Sequence, residues 1–161
     1  MNPIESLSAR AGNWRGVNTL EDPNTGKPEE SPSKLSVVPV LGGRFVRLDY
    51  VWSYQGKPQE GSLLVGFDPK SGEISGHWID TWHNGRNVLA CKGKATPESD
   101  PASSFGMLGS YPAPPGPDWN WRIEIDTGEG SLRIRHINII PEGTPYPAGD
   151  YPAVEGIYEP A

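Results

Sequence analysis

Asp80 stands between two tryptophans at even spacing in GHWIDTWHNG, the run from Gly76 to Gly85. Side chains alternate along a β-strand, so Trp78, Asp80 and Trp82 share one face if this run is extended. A carboxylate on so apolar a face has four uses: acid–base chemistry, a metal ligand, a handle for a bound molecule, or a structural hydrogen-bond acceptor. Removing its charge from water costs several kcal/mol unless it is paired. The expectation is an interior carboxylate anchored by an Arg, a Tyr or an indole N–H, with a ligand-facing role as the alternative.

His136 is the second residue that could do chemistry. In SLRIRHINII, residues 131–140, it has the parity of Leu132, Ile134, Asn138 and Ile140, which puts an imidazole and an amide on an apolar face. A histidine there is first expected to be a satisfied core or rim residue. With both side chains inward, Asp80 and His136 would meet across a shared interior as an acid–base pair. The opposite parity, reached through a bulge, would turn Arg133 and Arg135 inward instead.

Other chemistries find little footing. His77 and His83 lie roughly 20 Å apart on a straight strand at about 3.3 Å per residue, so they are read as hairpin and surface histidines. No HExxH, paired CxxC or EF-hand pattern occurs, and no metal site is expected. Gly-x-Ser-x-Gly, GxGxxG and the phosphate-binding loop of ATPases are absent, so neither a serine nucleophile nor a nucleotide cofactor is indicated. Cys91 is the single cysteine, which excludes an internal disulfide and fits a buried, inert thiol in a reducing compartment.

The elements that must carry these residues read as strands. Ten short segments alternate or run apolar between turn signals: 14–20, 34–41, 44–54, 61–68, 73–82, 87–95, 104–111, 119–126, 131–140 and 150–158. Residues 21–32 read as a polar loop, and Asn84-Gly85 as a hairpin turn. A short helical turn is expected within residues 1–10, at Ile4–Ala9. The links are too short for crossover helices, so neighbouring strands must be antiparallel. A meander of this length must close or fold over, because open strand edges aggregate. An all-β, antiparallel up-and-down barrel of about 8–10 strands, formed as one domain over residues 1–161, is the expected fold. A two-sheet sandwich is second. In WNWRIEID, Trp119, Trp121, Ile123 and Ile125 face one way; in RFVRLDYVWSY, Tyr50 and Trp52 do the same. The inner wall is therefore aromatic.

Bulk properties narrow the function. The 161 residues carry a net charge of −6 with no basic run, which argues against a nucleic-acid partner. Mean hydropathy is −0.54, and no apolar run approaches the length of a membrane span. The first residues lack a basic start followed by an apolar stretch, so a cytoplasmic location is expected. A homodimer is compatible with the sequence.

Gly12-x-Trp14-x-Gly16 resembles the opening motif of calycin (lipocalin-like) barrels, where the Trp plugs one end. LGGRFV at 41–46, GFDPKSG at 66–72 and the W-x-D of Trp78 and Asp80 resemble an uncharacterised bacterial family. That family is a domain of unknown function with a calycin-like barrel, akin to lipocalins and fatty-acid-binding proteins. The resemblance implies a fold and carries no catalytic residues with it. The leading expectation is a barrel that binds a small, largely apolar molecule, with no cofactor of its own. Tyr50, Trp52, Trp78, Trp82, Trp119 and Trp121 would line the cavity, and Asp80 with His136 or Asn138 would orient a polar group. An acid–base enzyme using Asp80 and His136 is the alternative, and a haem-binding barrel with His136 as ligand follows from the calycin likeness.

Overall fold

Residues 1–95, 100 and 102–161 are described by the computed structural model. Strand β1 (Gly12–Asp22) buries Trp14, Asn18, Leu20 and Asp22 and leaves Arg15, Val17 and Glu21 exposed. The alternation is the period of a half-buried strand. At its end the Asp22 carboxylate accepts the Asn24 N–H at 2.8 Å and Gly26 takes a φ of 67°, which turns the chain into β2 (Lys27–Val40). Most of the expected loop at 21–32 is therefore strand. Its pattern was hidden because the inward positions there are serines: Ser31 accepts the Ser53 N–H at 3.2 Å, and Ser33 donates to the Val51 carbonyl at 2.8 Å.

The remaining strands are β3 (Phe45–Tyr54), β4 (Lys57–Asp68), β5 (Glu73–Asp80), β6 (Leu89–Lys94), β7 (Ser104–Tyr111), β8 (Trp119–Asp126), β9 (Leu132–Ile140) and β10 (Gly149–Pro160). Each pairs antiparallel with its sequence neighbour, and β1 pairs with β10 from Trp14↔Pro160 to Leu20↔Val154, so the barrel closes. The expected up-and-down barrel is the fold observed. The β9 parity is the one that turns His136 inward; Arg133 and Arg135 lie on the outer wall, paired with Glu155 and Glu124. A register shift does occur, but in β10, between Pro152 and Val154.

Strand β5 stops at Asp80, two residues short of the expected end, and eight residues pass before β6. Asn84-Gly85 is thus part of a longer loop and not a two-residue hairpin. The cause is Asp80 itself, whose carboxylate accepts the N–H groups of His83 and Asn84 and draws the chain off the ladder.

Helix α1 (Pro3–Ser8) closes one end. Asn2 and Glu5 form a reciprocal capping box at 3.0 and 2.9 Å, and Pro3 pre-sets the first turn. The buried face carries Ile4 and Leu7 onto β2, β3 and β4. Ser6 hydrogen-bonds Ala102 and Thr127, and Arg10 donates to the Thr127 carbonyl at 2.7 Å, which seats the helix beside the start of β7 and the end of β8. Trp14 donates its indole N–H to the Arg10 carbonyl at 2.9 Å. Between this plug and the far end, Leu35, Leu48, Leu63, Ile123, Ile125 and Leu132 fill the lumen. Cys91 is among the buried residues, and burial pushes its thiol up to about 11, away from reactivity. No helix among the described residues is long and apolar enough to cross a membrane.

Candidate functional site

The aromatic residues gather at the end opposite α1. Antiparallel order brings the ends of β3, β5, β7 and β9 together with the starts of β4, β6 and β8 there. Trp78, at the end of β5, is fully buried and donates its indole N–H to the Tyr50 hydroxyl at 2.8 Å. Trp121, at the start of β8, donates to His136 Nδ1 at 3.0 Å. The two indoles stack, with centroids 5.3 Å apart and planes at 19°. Fixed by their N–H groups, they form a rigid aromatic floor across the barrel.

Walls rise from that floor. Trp82 packs edge-on to Trp52 at 5.9 Å and against Tyr54 at 4.2 Å. Tyr111 donates its hydroxyl to Asn138 Oδ1 at 2.5 Å. Trp119 is only half-buried and sits on the rim between Tyr111 and Tyr146. The space enclosed is about 690 Å³ and is lined by Trp78, Trp82, His83, Leu89, Tyr111 and Trp121 among others. Tyr50, Trp52, Asp80, Trp119, His136 and Asn138 stand behind or around this lining and not on it.

Asp80 is an anchored carboxylate, but its partner is the histidine assigned to the surface. Its side chain is 2% exposed and accepts His83 Nδ1–H at 2.7 Å and the His83 and Asn84 backbone N–H groups at 2.9 and 2.7 Å. Burial pushes the Asp80 pKa up, but the hydrogen bond and charge of His83 with the two backbone donors outweigh it and hold the carboxyl below its ordinary range. His83 is 18% exposed at its side chain, with its ring 5.5 Å from Trp78 and 5.2 Å from Trp121. His77 does lie exposed on the outer wall. A straight strand through residue 82 concealed the role of His83. The usable signal was the Asp-x-x-His spacing at a strand end, the reach of an aspartate over its own turn.

His136 lies under the floor. It is 4% exposed, with its ring 4.4 Å from Trp78. Among the described residues no hydrogen bond or ion pair joins it to Asp80; the oxygens of one are taken by the His83 turn and the Nδ1 of the other by Trp121. The expected acid–base couple is thus replaced by Asp80–His83. Beside His136, ringed by Asn18, Tyr50 and Tyr158, the space is about 10 Å³, room for about one water molecule. A porphyrin has no place there, so the site does not fit haem. No three His, Cys, Asp or Glu side chains among the described residues are grouped to hold a metal ion.

A depression of about 680 Å³ lies elsewhere, across the outer wall of β2 to β5. Lys34, Asp49, Glu60 and Ile79 line it, with Tyr50 and Asp80 of the expected site reaching it from within, so a single aromatic side chain contributes where the mouth has several. No curated protein matches the chain. A family model described as a protein of unknown function (DUF1579) matches residues 2–146, which run from α1 through β9 and leave the closing strand β10 outside. The chain belongs to that family.

Proposed function

We propose that the protein binds a small, largely apolar molecule in the mouth of a calycin-like barrel. The observation that carries this is the stacked Trp78–Trp121 floor under a space of about 690 Å³. Ligand pockets run to about 300–1,000 Å³ and are mostly apolar with a few fixed polar groups, which describes this mouth. The deeper lumen is filled, so the ligand sits in the mouth above the buried indole pair and not along the barrel axis.

Titration with 1-aminoanthracene is expected to quench tryptophan fluorescence saturably. Trp82→Ala is expected to weaken that binding about tenfold, since an aromatic contact contributes about 0.5–1.5 kcal/mol beyond its buried area. Absence of saturable quenching, or equal affinity in the variant, would refute the site.

One observation favours acid–base chemistry in the same mouth. Asp80 holds the Nδ1 side of the His83 ring at 2.7 Å, and the ring lines the mouth with its side chain 18% exposed. That is the orientation of a general base. Hydrolysis of 4-nitrophenyl acetate above background is expected, with a drop of 10²-fold or more in His83→Gln. Equal rates in the two proteins would dismiss it.

A further inference from the structure

The outer wall of the barrel is not the same all round. Over β8 and β9 its charges are matched within the chain, Arg122 with Glu124, Arg133 with Glu155, and Arg135 with Glu124 and Asp126. From β10 through β1 to β5 the exposed side chains of Ile157, Val17, Val51 and Ile79 interrupt the charges. The depression of about 680 Å³ lies on that side, with another of about 1030 Å³ over β10 to β3, and Lys34 and Val51 line both. Exposed apolar side chains gathered beside such hollows mark a surface that associates. One register row crosses it: Arg15, Lys34, Val51 and Glu60 stand side by side on β1, β2, β3 and β4. Arg15 is paired with Glu159. Lys34 and Glu60 are exposed and flank Val51, roughly 10 Å apart at about 4.8 Å per strand. Among the described residues neither has an ion-pair partner.

We propose that this wall is the contact face of a homodimer, with a two-fold axis running along β3 over Val51. A closed barrel has no free strand edge, so a second copy docks through side chains and not by adding a strand. Charge selects the partner. Whatever covers the row must bring an anion to Lys34 and a cation to Glu60, one on each side of an apolar contact. The same row in a second copy, turned about that axis, does so. Val51 meets Val51, and Lys34 of each copy faces Glu60 of the other. One residue pair is thus used twice, as two-fold symmetry requires. Each Lys34 enters the smaller depression of the other copy, which Glu60 and Ile79 line. Asp49, on the same face of β3, is already matched by Arg47 within the chain.

Sedimentation of the full chain over a micromolar dilution series tests this. The unmodified protein is expected to be a dimer that dissociates on dilution. Lys34→Glu and Glu60→Lys are each expected to weaken association at least about tenfold, because like charges then face each other at two points. An equimolar mixture of the two variants is expected to recover the dimer, since each supplies the charge the other lacks. One chain carrying both reversals is expected to recover it too. Both positions are exposed on the outer wall, so the variants keep the fold, and recovery on mixing reports that directly. A monomer throughout the series overturns the proposal. A dimer that either single reversal leaves unchanged overturns it as well, since the contact then lies on another face. So do monomeric variants that stay monomeric both when mixed and when the reversals are combined.

Discussion

Gly16→Val is expected to lower the stability of the barrel by about 4 kcal/mol, beyond the usual range for overpacking. Gly16 lies in the middle of β1, opposite Tyr158 of β10, at the seam that closes the barrel. A Cβ built there would sit 1.8 Å from the Ile157 carbonyl oxygen, 2.8 Å from its carbon and 2.9 Å from the Tyr158 Cα. All three are backbone atoms, so no rotamer change relieves the contact. The two strands must move apart, and with them the ladder from Trp14↔Pro160 to Leu20↔Val154. Strand propensity pulls the other way, since valine is preferred over glycine by about 1 kcal/mol in sheets. The steric cost is the larger, which fixes the sign. Urea unfolding would measure it, with Gly106→Ala as the control, where the nearest atom to the added Cβ is 3.5 Å away. Equal midpoints for Gly16→Val and the unmodified protein would show that β1 and β10 do not approach as described.

The same seam shows what could be read from the sequence and what could not. β7 and β8 run over the residues their alternation indicates, because SFGMLGSY and WNWRIEID put apolar side chains inward at every second position. β2 escaped in its first half because Ser31 and Ser33 take inward places usually held by apolar residues, and their hydroxyls answer backbone groups of β3. Alternation reports hydrophobicity, and these positions are buried without being hydrophobic. Closure is a long-range pairing of residues more than a hundred positions apart, and no local pattern specifies its register.

At the mouth the division is similar. Parity placed Trp78, Trp121 and His136 inward, and the structure brings these three rings together. Trp82, expected inward by the same parity, does line the mouth, but parity could not place His83 or Asn84, because the strand period ends where Asp80 captures the N–H groups ahead of it. A side-chain acceptor that bends the chain changes the direction of every residue after it. So a predicted pair of Asp80 with a distant histidine gives way to a pair with a histidine three residues on. Local capture forestalled the long-range contact.

Buried as a neutral ring, His136 is expected to make the protein acid-labile well above the range in which carboxylates titrate. Burial pushes its pKa down from 6.5 to about 3, helped by the His83 charge and opposed by Asp80. Between those two values the unfolded chain binds a proton that the folded barrel refuses. Stability is then full above pH 6.5 and falls as the pH drops towards 3. One such group costs about 1.4 kcal/mol per pH unit, so about 2 kcal/mol is lost by pH 5 relative to pH 7. Marginal stability of about 5–15 kcal/mol makes the whole window large enough to threaten the fold. Protonation would also remove the lone pair that Nδ1 offers the Trp121 N–H, loosening the aromatic floor as the fold weakens. His136→Gln keeps an acceptor at this position without a titrating ring. Its stability is expected to be nearly flat from pH 6.5 to 5, whatever its absolute value, while the unmodified protein slopes. Thermal or urea unfolding at a series of pH values reads both slopes. Parallel profiles would mean that the ring takes up its proton in the folded state as readily as in the unfolded chain, and that the floor above it is open to water.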